Sequence, residues 1–425
     1  MRYFFLVTLL LGYLMSNLMR VSGVVLLPPL AESLGLTAAA VGFLSSLFFY
    51  TYGASYGVWG VLVDNRGPFI CCGLSLLIGA IGSFIMAFSG SSAAIGVGRA
   101  LSGLGMASLF TGLLMYCAFA FSKENYPVLV GLCLVIGHLG TVAAVAPLGY
   151  CLDIVGPRGV FLALGIVSLL LGVILILFKK QDPRRAYDIG RRASMKFDAV
   201  SSIAVTDVIS ELWRTASASW DMFPLRVVML TWASSAAATA ALQGLWAVSW
   251  IQSATKADLN TARLCATWIS MGLVVGPAAG ALFFKRCGCL GEKKAFLWCC
   301  IFNQLSWFFW MGASRFNDAI LVFSFSGFAV GFFNGCGYVF MGNAVRNLAP
   351  MDKNASVIGV INMLLYIGVI IFQWGTGVVL DFFPAFSAGC YREEGFLIGF
   401  GVIMLIQGWT FHLITKAESF RRGTA

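Results

Sequence analysis

Hydrophobic residues fall into twelve stretches, separated by shorter polar segments. We place these stretches at 3–28, 38–63, 69–88, 93–121, 128–152, 159–178, 227–251, 260–284, 295–313, 319–345, 356–380 and 395–415. A helix needs about 20 apolar residues to cross a bilayer, and lipid offers the backbone no water to bond, so each stretch is predicted to be a transmembrane helix. The first stretch continues past Arg20, which favours a retained span over a cleaved signal peptide.

Composition supports a membrane protein. Hydrophobic residues make up 59% of the chain and charged residues 11%, whereas roughly a quarter of the residues in a soluble domain are charged. The net charge of +10 does not indicate nucleic-acid binding, because the cations lie mostly in alternate loops. Most cysteines fall inside apolar stretches, and Cys287 and Cys289 have no second ligand pair, so we expect inert thiols, no metal site and no cofactor.

The distribution of Lys and Arg predicts the topology. If the N-terminus is cytoplasmic, most cations lie on the cytoplasmic side, including Lys123, Lys285, Arg286 and those between Lys179 and Arg226. The opposite loops hold only Arg158, Lys256, Arg263, Arg315 and Arg392. By the positive-inside rule, both termini are expected in the cytoplasm.

The chain is predicted to have three parts: a six-helix bundle at 1–178, a cytoplasmic linker at 179–224 and a second six-helix bundle at 225–425. Weak internal repeats favour duplication, since Gly149–Asp153 resembles Gly377–Asp381 and Leu36–Ala39 resembles Leu259–Ala262. The linker begins with basic residues, and its residues 205–213 have the spacing of an amphipathic helix at the membrane surface. It is either a solvated segment that anchors the topology, which we favour, or a regulatory site for phosphoinositide-type lipids.

Several motifs resemble those of the major facilitator superfamily. The segment Gly60-Val-Leu-Val-Asp64-Asn-Arg66-Gly67-Pro68 is similar to the family signature after the second span. Gly98-Arg99 with Gly103 and Gly105 resembles its fourth-span arginine motif, and Gly140 with Ala146-Pro147-Leu148-Gly149 its fifth-span motif. The segments 13–29 and 243–246 resemble a bacterial branch of sugar-phosphate and organic-anion permeases. The resemblance implies an all-α membrane protein with twelve transmembrane helices, in two six-helix bundles related by a pseudo-two-fold axis.

Six residues are predicted to act in gating or conformational change: Gly60, Asp64, Arg66, Gly67, Arg99 and Pro147. Gly60 is expected to allow close helix packing, and Asp64 to meet a helix N-terminus or an arginine at an inner gate, although a simple turn would use the same residues. Pro147 should bend the fifth span, either as a hinge or as packing geometry. The family resemblance gives Arg99 a role in coupling; the alternative is an interfacial anchor.

Arg20 is the strongest candidate for substrate binding. A charge within a span is costly, so it should face the bundle interior or a wet cavity. Tyr13, Asn17 and Arg20 are spaced to share one helical face, and a guanidinium there offers a bidentate site for phosphate or carboxylate. The alternative is that Arg20 reaches the outer surface, because it lies past the midpoint of its span.

Other polar and aromatic residues within the spans complete the predicted substrate site. By the repeat offset, Gln243 matches Arg20, so the cation lacks a symmetric partner. The further candidates are Tyr52, Tyr56, Trp246, Asn334, Asn362, Tyr366 and Gln373. Aromatic residues at helical spacing are also typical of packing or interfacial belts, so the amides are preferred. His138 is a candidate proton relay or a structural histidine.

These observations lead to one functional hypothesis and two alternatives. We expect a secondary active transporter, not an enzyme, that moves a small organic anion across the bacterial inner membrane by alternating access. Its expected partners are a small-molecule substrate, the lipid bilayer and a coupling ion, proton or sodium, with no nucleic acid, and the protein is expected to be a monomer. No carboxylate lies convincingly mid-span, so symport, antiport and uniport stay open. The alternatives are an exporter of neutral or amphipathic solutes and a non-transporting membrane sensor.

Overall fold

The computed structural model describes residues 1–122, 126–183, 205–286, 292–349, 354–383 and 391–417. Every regular element within these ranges is helical, which confirms the predicted all-α class. The α-helices are α1 (Arg2–Val21), α2 (Gly23–Leu34), α3 (Ala38–Arg66), α4 (Pro68–Phe88), α5 (Ser92–Met106), α6 (Leu109–Ala120), α7 (Tyr126–Ala143), α8 (Ala146–Leu177), α9 (Val205–Asp221), α10 (Phe223–Ala241), α11 (Ala247–Thr255), α12 (Leu259–Arg286), α13 (Glu292–Met311), α14 (Ala319–Leu348), α15 (Asn354–Asp381) and α16 (Glu393–Lys416).

The helices follow the predicted spans, with several spans divided. Among the described residues, nine helical segments are long and apolar enough to cross a membrane. The first span is longer than predicted, because α2 continues through Pro28 and Pro29 to Leu34. The amphipathic helix predicted at 205–213 is present as α9 and extends to Asp221, and α10 begins directly after Met222.

Three interruptions shape the helices that carry candidate residues. A π-helical turn, Leu242–Trp246, separates α10 from α11, and such turns are frequent at functional sites. α7 ends at Ala143 and α8 begins at Ala146, because Pro147 has no N–H to donate to the carbonyl of Ala143. Within α8, Gly156 adopts φ 70°, a conformation that glycine tolerates, and divides the fifth predicted span from the sixth.

The chain forms two compact units that do not follow the predicted division. The first comprises Met1–Arg20, Leu47–Ala144 and Cys151–Ser210. The second comprises Val21–Ser46, Val145–Tyr150 and Glu211–Ala425. The second unit thus includes α2, the first turns of α3 and the first turn of α8, which the sequence places in the N-terminal half. The division into bundles at 1–178 and 225–425 stays a prediction.

Each unit has its own apolar packing. In the first, Phe5 packs on Phe69 and Phe178, with ring centroids 4.8 and 5.5 Å apart. In the second, buried residues of α10, α13, α14 and α15 form one hydrophobic cluster that includes Val228, Phe296 and Val345. These contacts hold the helices that carry the polar groups described next.

Candidate functional site

In the first unit, α1 presents the predicted polar face. The Asn17 amide Nδ2 donates to the Tyr13 carbonyl at 3.0 Å, and an Arg20 guanidinium nitrogen donates to Asn17 Oδ1 at 2.6 Å. Asn17 is buried and Arg20 is half-buried. The predicted sharing of one helical face is therefore present, and Asn17 orients the guanidinium.

His138 lies in α7, which packs closely on this part of α1. A Cβ at Gly137 would lie 2.2 Å from the Tyr13 ring, and one at Gly140 would lie 2.3 Å from the Leu14 carbonyl oxygen. Imidazole Nδ1 of His138 is buried and has no hydrogen-bond partner among the described residues, and Arg20 contributes to its electrostatic environment. The structure thus brings His138 and Arg20 to one region, although the sequence analysis considered them separately.

Arg99 and the two tyrosines of α3 also lie in the first unit. Arg99 is 3% exposed, donates to the Met19 carbonyl at 3.1 Å and lies 5.1 Å over the Phe48 ring. A side chain that anchors the helix at the membrane interface would be exposed, so the burial of Arg99 argues against that alternative. Tyr52 stacks on Phe48 with centroids 5.7 Å apart, and Tyr56, half-buried, bonds to Thr111.

The segment that resembles the family signature lies at the end of α3 and is described only in part. A Cβ at Gly60 would have no described atom within 4 Å. The prediction that Gly60 permits close helix packing therefore stays a prediction. Arg66 is exposed. The side chain of Asp64 lies outside the described residues, so its role in an inner gate stays a prediction.

Gly67 instead joins α3 to α4 beside a carboxylate that the sequence analysis did not identify. Gly67 has φ 88°, and a Cβ there would lie 2.6 Å from Asp182 Oδ2. The same Asp182 oxygen accepts from the Phe69 N–H at 3.1 Å and so caps the start of α4. The need for glycine at this position follows from the turn and the close carboxylate.

In the second unit, the π-helical turn carries two of the candidate residues. Gln243 is buried, and its Nε2 donates to Ser270 Oγ at 2.6 Å. Trp246 is buried, and its indole N–H donates to the Gln373 carbonyl at 3.1 Å. The turn is therefore fastened to α12 and α15. The indole N–H of Trp246 is already engaged, whereas Gln243 keeps its Oε1 for another donor.

The amides of α14 and α15 differ in their partners. Asn334 Nδ2 donates to Ser235 Oγ at 3.2 Å, and that hydroxyl donates to Asn303 Oδ1 at 3.3 Å. Gln373 is fully buried, and both of its amide atoms lack a hydrogen-bond partner among the described residues. Asn362 and Tyr366 are half-buried. Asn334 is thus held in a network, while Gln373 has the full hydrogen-bonding capacity of its amide unused.

Arg263 is a buried cation that the sequence analysis placed among loop residues. The structure corrects this: Arg263 lies in the second turn of α12 and is 2% exposed. Its Nη1 donates to the Gly149 carbonyl at 3.2 Å and to Asn260 Oδ1 at 3.1 Å. The charge count treated the residue as a loop cation, although it falls inside the stretch 260–284. That position within an apolar stretch was the signal that should have singled it out.

Asp258, in the turn before α12, caps its own helix. Its carboxylate accepts from the Thr261 N–H at 3.0 Å and from the Thr261 hydroxyl at 2.6 Å. These hydrogen bonds, of which the one from the Thr261 hydroxyl has the largest effect, hold the pKa of Asp258 below its ordinary value. The start of α12 is therefore stabilised locally.

Comparison with known proteins gives a family and distant relatives. The family model described as Major Facilitator Superfamily matches residues 9–373. A probable hexose phosphate transport protein of Chlamydia pneumoniae is 22% identical over 250 residues, which cover 53% of this chain and 55% of that protein. The phosphoglycerate transporter protein of Salmonella typhimurium is 40% identical over 73 residues, 17% of this chain and 16% of that protein. The chain thus matches only about half the length of the first relative and less of the second.

A solved structure resembles the whole chain. It is a bacterial homologue of the human lysosomal transporter Spinster, in an inward-facing and occupied conformation, with a TM-score of 0.73 and 14% identity over 100% of this chain and 99% of that one. At this identity the likeness concerns the fold alone, and it confirms the fold class predicted from the sequence.

Proposed function

Because the chain belongs to the major facilitator superfamily, we propose that it is a secondary active transporter for a small organic anion that carries a phosphate or carboxylate group. Alternating access would move this anion across the bacterial inner membrane. Membership of the family makes the protein a multi-pass membrane transporter rather than an enzyme, as the sequence predicted. The names of two distant relatives, a hexose phosphate and a phosphoglycerate transporter, support a phosphorylated substrate.

The unbalanced charge of Arg20 is the observation that carries the proposal. Arg20 ends an apolar helix, is half-buried and bonds to the neutral Asn17. Within the described residues no carboxylate reaches it within ion-pair distance. A cation in this setting is costly unless something neutralises it. A substrate anion would do so, and the guanidinium would bind two oxygens of a phosphate or carboxylate in parallel.

His138 supplies a second group beside Arg20. Its buried Nδ1 has no partner among the described residues, and α7 lies in contact with Tyr13 and Leu14 of α1. We assign this nitrogen to a further oxygen of the bound anion. A phosphate has three terminal oxygens, so it uses Arg20 and His138 together more fully than a carboxylate does. The amides of the second unit stay predicted substrate contacts.

Counterflow in proteoliposomes tests the proposal. Vesicles that contain the full-length protein are loaded with an excess of one unlabelled anion and are given the same anion in labelled form: a hexose phosphate, phosphoglycerate or a dicarboxylate. Arg20→Gln should reduce uptake of the transported anion at least tenfold, roughly the effect of losing one charge-assisted hydrogen bond, and Arg20→Lys should retain part of it. Arg158→Gln is the matched control, because Arg158 is an exposed cation of the same unit.

Two results would contradict the assignment. One is unchanged uptake in Arg20→Gln for every anion tested, with normal folding by gel filtration. The other is transport of neutral or amphipathic solutes that hydrophobic cations inhibit and that does not need Arg20. The second result would favour the exporter alternative.

A further inference from the structure

A carboxylate at the end of α15 bonds to the start of α3, within the second unit. Asp381 Oδ1 accepts from the Ala38 N–H at 2.8 Å, and Oδ2 accepts from the Ala39 N–H at 3.1 Å. These are the first two residues of α3, whose N–H groups have no acceptor within the helix. The carboxylate also faces the positive end of the helix dipole. One side chain therefore satisfies two backbone donors on a helix more than 300 residues away along the chain.

The backbones of the two helices approach closely just beside this carboxylate. A Cβ at Gly42 would lie 2.6 Å from the Gln373 carbonyl oxygen, and one at Gly377 would lie 2.5 Å from the Ala38 carbonyl oxygen. We call the set Ala38, Ala39, Gly42, Gln373, Gly377 and Asp381 the α3–α15 interface. Its two glycines allow backbone contact without side chains, and Asp381 is its charged member. Asp381 therefore adds two hydrogen bonds to an interface that otherwise consists of backbone packing.

A second carboxylate of the same unit caps a helix in a different way. By the offset that aligns Leu36 with Leu259, the start of α12 corresponds to the start of α3. There Asp258 caps its own helix through Thr261, and Arg263 of α12 donates to the Gly149 carbonyl of α8. The start of α3 has a local cap as well, since Thr37 Oγ1 accepts from the Ala40 N–H at 3.2 Å, but its first two N–H groups find their acceptors on a different helix. Separation of the helices would remove the Asp381 acceptors from α3 and leave the Asp258 cap of α12 intact.

We propose that Asp381 is a positioning residue for transport, whose bonds to Ala38 and Ala39 hold the α3–α15 interface closed and break each time this end of the two helices opens. The proposal rests on the transport function proposed above. Closure gives the two N–H groups of α3 their acceptor, and opening leaves them to water, whereas the Asp381 side chain is exposed in the closed arrangement as well. Neutralising the carboxylate shifts the equilibrium toward the open form, and alternating access needs both forms.

Spin-label distances test this inference without any substrate. Glu32 lies shortly before Ala38 in the sequence and Phe382 directly after Asp381, and both positions are exposed. Each is replaced by a cysteine that carries a spin label. The cysteines at 151, 287, 289 and 390 are changed to serine, and this background is first shown to fold. Asp381→Asn removes the charge and one of the two acceptor oxygens, and it should raise the ratio of long to short distances roughly 2- to 5-fold, the range that loss of one charge at an exposed helix end produces. Asp381→Glu should restore most of the short-distance population.

Asp258→Asn is the matched control, because it removes the same charge from a helix cap in the same unit that does not join two helices. Equal distance distributions in Asp381→Asn and the parent would overturn the proposal. So would an equal increase in Asp258→Asn, since that would be a general effect of losing a charge at the start of a helix. The distance measurements need no substrate, so they test the role of Asp381 even if the proposed transport of a phosphorylated anion is wrong.

Kinetics give a second readout once a substrate is known. If the open form becomes more populated, a larger fraction of the molecules can bind substrate from the side that opens, and the apparent affinity on that side rises in proportion to this fraction. Asp381→Asn should therefore lower KM from the side where α3 begins and lower kcat, since closure becomes unfavourable. A variant that merely folds poorly would lower the amount of active protein and leave KM unchanged, and that result would also count against the proposal.

Discussion

The contact between Gly149 and Arg263 allows a double-mutant test of how closely the first turn of α8 packs on α12. A Cβ at Gly149 would lie 2.5 Å from Arg263 Cδ. Overpacking of this kind costs about 1 to 3 kcal/mol, while alanine in place of glycine gains about 1 kcal/mol of helix propensity. Gly149→Ala alone should therefore change the free energy of unfolding by about 0 to 2 kcal/mol, destabilising.

In a protein that lacks the Arg263 side chain, Gly149→Ala should stabilise the fold instead of destabilising it. Arg263→Ala loses the hydrogen bonds to the Gly149 carbonyl and to Asn260 and should cost about 3 to 6 kcal/mol, because hydrogen bonds to charged groups contribute roughly 1.5 to 3 kcal/mol each. In the double variant the new methyl group at position 149 meets no arginine side chain, so the propensity gain remains. The two substitutions should couple by about 1 to 3 kcal/mol, the overpacking term itself.

Denaturant unfolding in detergent micelles, followed by circular dichroism, measures all four members of the cycle. Arg315→Ala serves as a control for loss of an arginine at an exposed position of the same unit. Effects of Gly149→Ala and Arg263→Ala that add to within about 0.5 kcal/mol would refute the reasoning, since independent sites behave in that way.

Two further substitutions follow from the same kind of argument. Gly67→Ala should destabilise the protein by more than about 2 kcal/mol, because φ 88° strains an L-residue and the new methyl group meets Asp182. Thermal melting checks this, with Gly60→Ala as the control because space is open there, and equal losses of stability in the two variants would contradict the prediction. Arg315→Gln should change stability by less than about 1 kcal/mol, because its ion pair with Glu393 spans 3.9 Å and Arg315 is 75% exposed. A larger loss of stability in the same assay would contradict the expectation that this exposed ion pair contributes little.

Local spacing was sufficient to predict some parts of the candidate site. Tyr13, Asn17 and Arg20 share a face because residues three and four apart on a helix are neighbours, and the structure has the corresponding hydrogen bonds. The helix interruption before Pro147 likewise follows from the residue itself. These features depend on one helix at a time, so the sequence alone determines them.

The features that sequence analysis missed depend on distant residues. Asp182 reaches Phe69, and Arg263 reaches Gly149, across sequence separations of 113 and 114 residues. Asp381 was noted only as the end of a repeated segment, because its partners lie 343 and 342 residues away. No periodicity within a helix identifies such a partner.

The α3–α15 interface also determines when the chain can complete its folding during synthesis. The N–H groups of Ala38 and Ala39 find their carboxylate only when Asp381 has been translated, 343 and 342 residues later. Until the ribosome reaches that codon, the start of α3 lacks this native acceptor. Substitutions at Asp381 should therefore also affect insertion yield, and a translational pause shortly before residue 381 would prolong the interval in which the nascent chain exposes this helix end to quality-control proteases.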